Sequence, residues 1–179
     1  MTAMKSNADE TKILIDADVI RHFIEGGKLH DIIKIFSNRI VLVDIVRNEL
    51  FRSKRIKPIV ETFITTCKIE EVKLEDNFDA VAEYVKLLTF AGDGEAACMA
   101  LAKVENKYIA SSNLKDIAKY CKDNGIKVYT TMDFLYEGMM NRLYTETECD
   151  KFISDVLASG SKLPVNSIEE YVKKYKMKL

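Results

Sequence analysis

The sequence is poor in the residues that build thiolate, disulfide and histidine-based sites. It contains no tryptophan, two prolines, two histidines and four cysteines in 179 residues. The cysteines are widely spaced and form no C-x-x-C pair, and neither histidine stands beside one in a zinc-ligand spacing. We therefore expect four reduced thiols in a cytoplasmic protein, and we expect neither a zinc site nor a Ser-His-Asp triad.

Long apolar runs and an excess of charge are also absent. No apolar run approaches the ~20 residues that a transmembrane helix needs, and the opening MTAMKSNADETK lacks the apolar stretch of a signal peptide. The 27 basic and 28 acidic residues give a formal net charge of −1, which neither favours nor excludes a nucleic-acid partner. We expect a polar segment at 1–11, a single domain at 12–179 and no membrane partner.

Short apolar strands alternate with helical patterns along the chain. Strands are predicted at 12–16, 39–44, 68–74, 107–112 and 126–131. Helices are predicted at 19–25, 28–36, 45–52, 56–66, 78–88, 95–104 and 114–125, with two more at 146–158 and 166–177. This alternation predicts an α/β fold, a three-layer α/β/α sandwich around a mostly parallel sheet. The core covers about 12–135, and extra C-terminal helices occupy about 141–179.

Carboxylates stand near the carboxyl ends of the predicted strands, where ligands bind in open parallel sheets. Asp16 closes the first strand, Glu49 lies in the helix after the second, and Glu95 opens the most apolar helix. Asp116 follows the fourth strand. Two carboxylates about 4 Å apart repel each other by roughly 4 kcal/mol at an effective dielectric of 20. A hard divalent ion such as Mg²⁺ or Mn²⁺ would relieve that repulsion.

Four segments resemble the motifs of the PIN-domain nucleases. They are ILIDADVI, VLVDIVRNELF, GDGEAACMALA and YIASSNLKDIAKYCKDNGIKVYTT, which stand in the family's order. The resemblance implies a PIN-like fold and places catalytic, metal-binding acids on Asp16, Glu49 and Glu95. The family's fourth Asp falls on Asn113, which offers a neutral carbonyl oxygen, and Asp116, one helical turn on, could partly substitute for it.

The family resemblance implies a Mg²⁺- or Mn²⁺-dependent ribonuclease that hydrolyses phosphodiester bonds. By analogy with the family's bacterial members, it also implies a toxin with a protein antitoxin. The expected partners are RNA, an antitoxin and a second copy of the chain in a homodimer. Basic side chains just after the second motif would hold the phosphate backbone. They are Arg52, Lys54, Arg55 and Lys57. Ser111 and Ser112 either bind phosphate or end the strand, and no aromatic platform for a single strand is evident.

Each acid also has an ordinary structural explanation. Asp16 or, better, Asp18 could cap the first helix, and Asp44 could cap the next one. Glu49 could lie on a solvated helix face and Glu95 could complement a helix dipole. Asn113 could be a cap with Asp116 at the third helical position.

Three functions therefore stay open. The leading one is the nuclease, and the second is a catalytically weak PIN-like module that binds RNA or protein, which the departure at Asn113 favours. The third is a domain whose acids are only caps. The segment GDGEAA also fits a dinucleotide fingerprint, but a helical pattern rather than a strand precedes it, so we exclude that function.

Overall fold

The chain folds around five short parallel strands. A computed structural model describes residues 9–177, without the side chain of Asp116, so most of the expected polar segment lies outside the described residues. The strands are β1 (Ile13–Ile15), β2 (Ile40–Val43), β3 (Glu70–Val72), β4 (Tyr108–Ala110) and β5 (Val128–Tyr129). Each of the five predicted strands is present, and each is shorter than its apolar pattern.

Ten α-helices surround the sheet within the described residues. They are α1 (Ala17–Glu25), α2 (Ile32–Ile35), α3 (Asp44–Phe51), α4 (Lys57–Cys67), α5 (Phe78–Leu87), α6 (Asp93–Glu105), α7 (Leu114–Asp123), α8 (Thr131–Met140), α9 (Glu146–Ala158) and α10 (Ile168–Tyr171). A 3₁₀ turn precedes α2, and α10 continues into a π-helical turn at Val172–Lys176. Helices cover both faces of the sheet, so the prediction of a three-layer α/β fold is confirmed.

The strand order β3-β2-β1-β4-β5 places β1 at the centre of the sheet. Ile13 pairs with Ile40 of β2 on one side and with Tyr108 of β4 on the other. The chain runs outward from β1 to β3, then returns to β4 and continues to β5 on the opposite side. The strand order therefore reverses between β1 and β4, and the carboxyl ends of these two strands border the crevice where open α/β sheets bind ligands.

Burial explains why β1 and α6 are so apolar. Ile13, Leu14 and Ile15 have no exposed surface, as expected for a central parallel strand that is covered on both faces. Helix α6 packs against β1, β2 and β4, and its residues 96–102 are all buried. Because α6 has so little polar surface, it packs closely against the sheet. This packing fixes the positions of Gly94 and Glu95 in its first turn.

The C-terminal helices pack onto the core. The Phe152 ring of α9 lies 5.0 Å from the Phe23 ring of α1, centroid to centroid. A Cβ at Gly26 would lie 2.1 Å from the Phe152 ring, so only glycine allows α9 to pack this closely. The helix predicted at 146–158 is confirmed, and no helix between residues 9 and 177 is long and apolar enough to cross a membrane.

Helix α8 was not predicted from the sequence. Thr130 caps it, with its hydroxyl accepting from the Asp133 backbone N–H and the Asp133 carboxylate accepting from the Thr130 backbone N–H. Gly138 weakens the helical pattern, since glycine is a poor helix former. The structure needs glycine there because a Cβ would lie 2.6 Å from the Tyr144 ring.

Candidate functional site

Asp16 stands at the crevice between β1 and β4. Its backbone N–H donates to the Ala110 carbonyl at 2.8 Å, which fixes the end of β1 against β4. Its Oδ1 accepts from the Ala17 N–H at 2.8 Å, and its Oδ2 accepts from the Ser111 hydroxyl at 3.3 Å. The residue is only 4% exposed, so a buried carboxylate is held in one orientation.

Asp16, and not Asp18, is the N-cap of α1, so the preference for Asp18 was wrong. Asp18 lies inside the first turn, where its Oδ1 accepts from the Val19 N–H and its Oδ2 from the Ser112 N–H at 2.7 Å. It therefore ties α1 to the segment after β4. The cap predicted at Asp44 was also wrong, because Val43 precedes α3 and the Asp44 Oδ1 accepts from the Leu74 N–H instead.

Asp16 and Glu49 border the same small space beside Gly94. A Cβ built on Gly94 would lie 3.1 Å from the Asp16 Oδ1 and 3.1 Å from the Glu49 Oε2. The two carboxylate oxygens are therefore no further apart than twice that distance. Because glycine has no side chain, the space between the two carboxylates stays open.

Glu95 occupies the third position of α6 and faces Asn113 across the crevice. Its Oε2 accepts from the Gly92 backbone N–H at 3.3 Å, which completes a capping arrangement. Its Oε1 accepts from the Asn113 Nδ2 at 2.7 Å. Asn113 precedes α7 but makes no capping bond with its side chain. Its amide instead joins the start of α7 to the start of α6.

Electrostatics set Asp16 apart from an ordinary cap. Burial raises its pKa to about 8, with further increases from the charges of Asp18, Glu95 and Glu49, while the Ala17 N–H opposes them. The pKa of the fully buried Cys98 thiol is also raised, first by burial and then by the same four carboxylates. Four acids thus act on one buried position, and their mutual repulsion favours a proton or a cation there.

Helix α1 supplies further polar groups to the site. The Arg21 guanidinium donates to the Glu49 Oε1 at 3.2 Å. The His22 Nδ1 lies 2.8 Å from the Thr131 hydroxyl, which lies 2.8 Å from the Ser112 hydroxyl. Arg21 was not predicted as a site residue from the sequence. Spacing along the chain gave no signal for it, because the contact with Glu49 arises only where α1 packs beside α3.

The other predicted site residues are Asp116, the basic side chains after α3 and the serines after β4. Asp116 lies on α7, but its side chain is outside the described residues. Arg52, Lys54, Arg55 and Lys57 are exposed beyond the end of α3. Lys57 lies 3.7 Å from Glu61 and above the Phe51 ring. Ser111 is 1% exposed, so its position suits support of Asp16 better than direct contact with a phosphate.

The carboxylates suit a divalent cation that keeps part of its water shell. Among the described side chains, no group of three or more His, Cys, Asp or Glu is close enough to hold a metal ion. Mg²⁺ commonly needs only one or two carboxylates and takes its other ligands from water and substrate phosphates. The open space between Asp16 and Glu49 meets that requirement, and Glu95 lies in the next position along α6.

Comparison with solved structures supports the fold. One similar chain belongs to the crystal structure of DNA-bound VapBC from Salmonella typhimurium, with a TM-score of 0.54 and 16% sequence identity. The match covers 68% of this chain and 98% of that one. At this level of identity the likeness shows the fold alone, and it confirms the expected α/β fold, which matches a PIN-like neighbour. No protein-family model matches the sequence, and no curated protein matches it significantly.

Proposed function

We propose that this protein is a metal-dependent nuclease that hydrolyses phosphodiester bonds in RNA. One observation carries the proposal: Asp16 and Glu49 direct carboxylate oxygens at one open space beside Gly94, at the point where the strand order reverses. Burial and three neighbouring acids raise the pKa of Asp16. Capping alone requires no such convergence, because a cap needs only the N–H groups of its own helix.

Each residue would have a definite task. Asp16 and Glu49 would hold Mg²⁺ or Mn²⁺, which supplies a Lewis acid for the phosphate and lowers the pKa of a bound water. Glu95 would orient a water by hydrogen bonding. Asn113 holds the Glu95 carboxylate from the other side of the crevice. The hydrogen bond from the Ser112 N–H to the Asp18 carboxylate holds the segment after β4 against α1.

The likeness to VapBC supports a proposed biological role. A toxin with this fold would act on RNA and would be held inactive by a protein antitoxin. The exposed basic side chains after α3 are positioned beyond Glu49 and are proposed to contact the RNA backbone. Homodimer formation also stays a prediction.

A binding module without strong catalysis is the second candidate. It is favoured by Asn113, which places a neutral amide where the resemblance leads one to expect a carboxylate. It is also favoured by Arg21, whose guanidinium already neutralises part of the Glu49 charge. Both features weaken the attraction of the site for a cation.

Cleavage of a mixed RNA pool with Mn²⁺ tests the two candidates. We expect cleavage by the wild type and none by Asp16→Asn, which keeps an oxygen acceptor for the Ala17 N–H but loses the charge. Asn113→Asp should increase cleavage if the missing carboxylate limits metal binding.

Absence of cleavage by wild type and Asn113→Asp, in folded protein that still binds RNA, would support the binding module. A lower rate for Asn113→Asp than for the wild type would show that the neutral amide belongs to the working site. Cleavage that persists in Asp16→Asn would show that hydrolysis does not require the Asp16 carboxylate.

A further inference from the structure

A second cleft is lined partly by the segments that flank the acidic site. It has a volume of about 460 Å³ and is lined by Phe90, Lys115, Lys119, Tyr120 and Asp123. Phe90 stands two residues before Gly92, which precedes α6, and Lys115 stands two residues after Asn113. The hydrogen bond between Asn113 and Glu95 joins these two segments. Two residues that line the cleft, Phe90 and Lys115, therefore stand on the two segments that carry Glu95 and Asn113.

Phe90 presents an aromatic ring at the cleft. The residue is 51% exposed, although its backbone is fixed by a hydrogen bond from its N–H to the Leu87 carbonyl at 3.1 Å. An exposed ring on a constrained backbone contributes little to the core, yet it is ready to stack without a large loss of conformational freedom.

Tyr120 forms a rigid wall of the same cleft. Its hydroxyl donates to the Glu83 Oε1 at 2.7 Å, and the Lys103 ammonium lies 5.7 Å from its ring centroid. Glu83 is itself buried, and Lys103 and Lys86 both donate to its carboxylate. The tyrosine ring is thus anchored from behind by a satisfied network.

Positive charge stands at the rim beside these rings. Lys115 is exposed and, among the described side chains, pairs with no carboxylate. The Lys119 side chain is 89% exposed, and its ammonium lies 2.5 Å from Asp123, one turn along α7. Such exposed pairs contribute little to stability and exchange readily with other anions. Aromatic faces with adjacent cations are the combination that binds single-stranded nucleic acid.

We propose that this cleft binds single-stranded RNA next to the acidic site, with a base stacked on Phe90 against Tyr120 and a phosphate on Lys115. The choice of RNA rests on the proposed function, whereas the binding surface is argued from the cleft alone. Phe90 and Tyr120 are distant along the chain and line one cleft only because α7 packs beside α6, so the sequence alone indicated no aromatic platform.

The test is direct binding of a short fluorescein-labelled single-stranded RNA, measured by anisotropy in EDTA so that no metal-dependent cleavage occurs. Phe90→Ala should weaken binding by about fivefold or more, the lower range for loss of one stacked base. Lys115→Gln should reduce the slope of log affinity against log salt by about 0.7, the value for one phosphate contact with a single strand. Phe90→Ala should leave that slope unchanged.

Two matched controls separate the cleft from general surface effects. Phe78→Ala removes an aromatic ring that is 85% exposed at the far end of α5. Lys151→Gln removes the charge of an exposed lysine on α9, outside the cleft; unlike Lys115, this lysine pairs with a carboxylate, Asp155. Neither control should change affinity more than twofold, and thermal melting should show that all variants are folded.

The outcomes distinguish this proposal from the nuclease proposal. If both Phe90→Ala and Lys115→Gln keep the wild-type affinity and salt slope, the proposal that the cleft binds RNA is overturned. The cleft would then belong to another occupant such as a peptide, and the nuclease proposal would still stand. Loss of binding in these variants, with no cleavage by any wild-type preparation in Mn²⁺, would support the cleft and overturn the nuclease. Failure of the wild type to bind the RNA would overturn the cleft and leave the nuclease proposal to the cleavage assay with Mn²⁺.

Discussion

At the scale of single residues, the surroundings of Asp16 destabilise its charged form. Its carboxylate has one backbone N–H and one serine hydroxyl as partners, while Asp18, Glu95 and Glu49 all act against its charge. An ion that binds only the folded state stabilises that state by mass action. The apo protein should therefore respond to divalent cations in its thermal stability, whether or not it turns over a substrate.

We expect millimolar Mn²⁺ or Mg²⁺ to raise the melting temperature of the wild type and not that of Asp16→Asn. At tenfold excess over the dissociation constant the gain is about 1.4 kcal/mol, which corresponds to a shift of roughly 3–6 °C for a chain of this size. Differential scanning fluorimetry with a chelated control measures it. Equal shifts in both proteins would place the ion elsewhere.

Gly94 gives a second test at the same scale. Gly94→Ala should place a methyl group about where the two carboxylates approach each other, since its Cβ would lie 3.1 Å from an oxygen of each. We expect a folded protein whose metal-induced melting shift is abolished. Gly92→Ala is the matched control, because its Cβ would lie 3.7 Å from the nearest atom, Glu95 Oε2. A full metal response in Gly94→Ala would mean that the ion does not use this space.

At the scale of elements, Asp133 joins α8 to the C-terminal helix. Its Oδ1 accepts from the Tyr171 hydroxyl at 2.6 Å and from the Lys176 ammonium at 2.8 Å. Its Oδ2 accepts from the Thr130 N–H and hydroxyl. Burial tends to raise the pKa of Asp133, but the hydrogen bonds from Lys176, Tyr171 and Thr130 outweigh it and leave the pKa below its usual value.

Asp133→Asn should therefore destabilise the protein by about 1–3 kcal/mol, the cost of disrupting a partly buried charged hydrogen-bond network. Because the folded-state pKa is lowered, the wild-type advantage should be present at neutral pH and should be lost as the pH falls below the usual range of an aspartate. Urea unfolding at neutral and acid pH measures both effects. Asp155→Asn, which breaks only an exposed pair with Lys151, should be nearly neutral. A neutral result for Asp133→Asn would show that α10 is not held through this carboxylate.

The elements also show what local sequence could and could not reveal. The nearly continuous apolar pattern of 95–104 indicated α6, and the short apolar run of 12–16 indicated β1. Helix α8 was missed because Gly138 breaks its pattern for the sake of the Tyr144 ring, a contact that no local pattern encodes. Asp16 was recognised from its position at a strand end, whereas its role as the cap depended on where β1 stops.

The same limit applies to the site. The strand ends led to Asp16, Glu49 and Glu95 because parallel strands share one edge. The Arg21 contact with Glu49 and the cleft at Phe90 depend on helices packing side by side. Those arrangements follow from tertiary structure, so spacing along the chain could not supply them.

At the scale of the whole molecule, the acidic site couples the stability of the fold to pH. An aspartate in the unfolded chain has a pKa near its usual ~3.9, whereas burial and the neighbouring acids raise that of folded Asp16 to about 8. Between these values the folded state binds the proton more tightly than the unfolded state does. The free energy of unfolding should therefore decrease as the pH rises through this window.

We expect the wild type, in EDTA, to lose stability from about pH 5 to about pH 8 relative to Asp16→Asn, whose amide does not titrate. The measurement is urea unfolding of both proteins at intervals across that range, and the difference between them isolates Asp16 from every other titrating group. Mn²⁺ should restore the stability of the wild type most at the upper end, where the carboxylate is already free of its proton and binding competes with none. If the two proteins have parallel pH profiles, ionisation of Asp16 does not lower the free energy of unfolding. The neighbouring acids would then lie too far away to require a cation, and the metal proposal would lose its electrostatic basis.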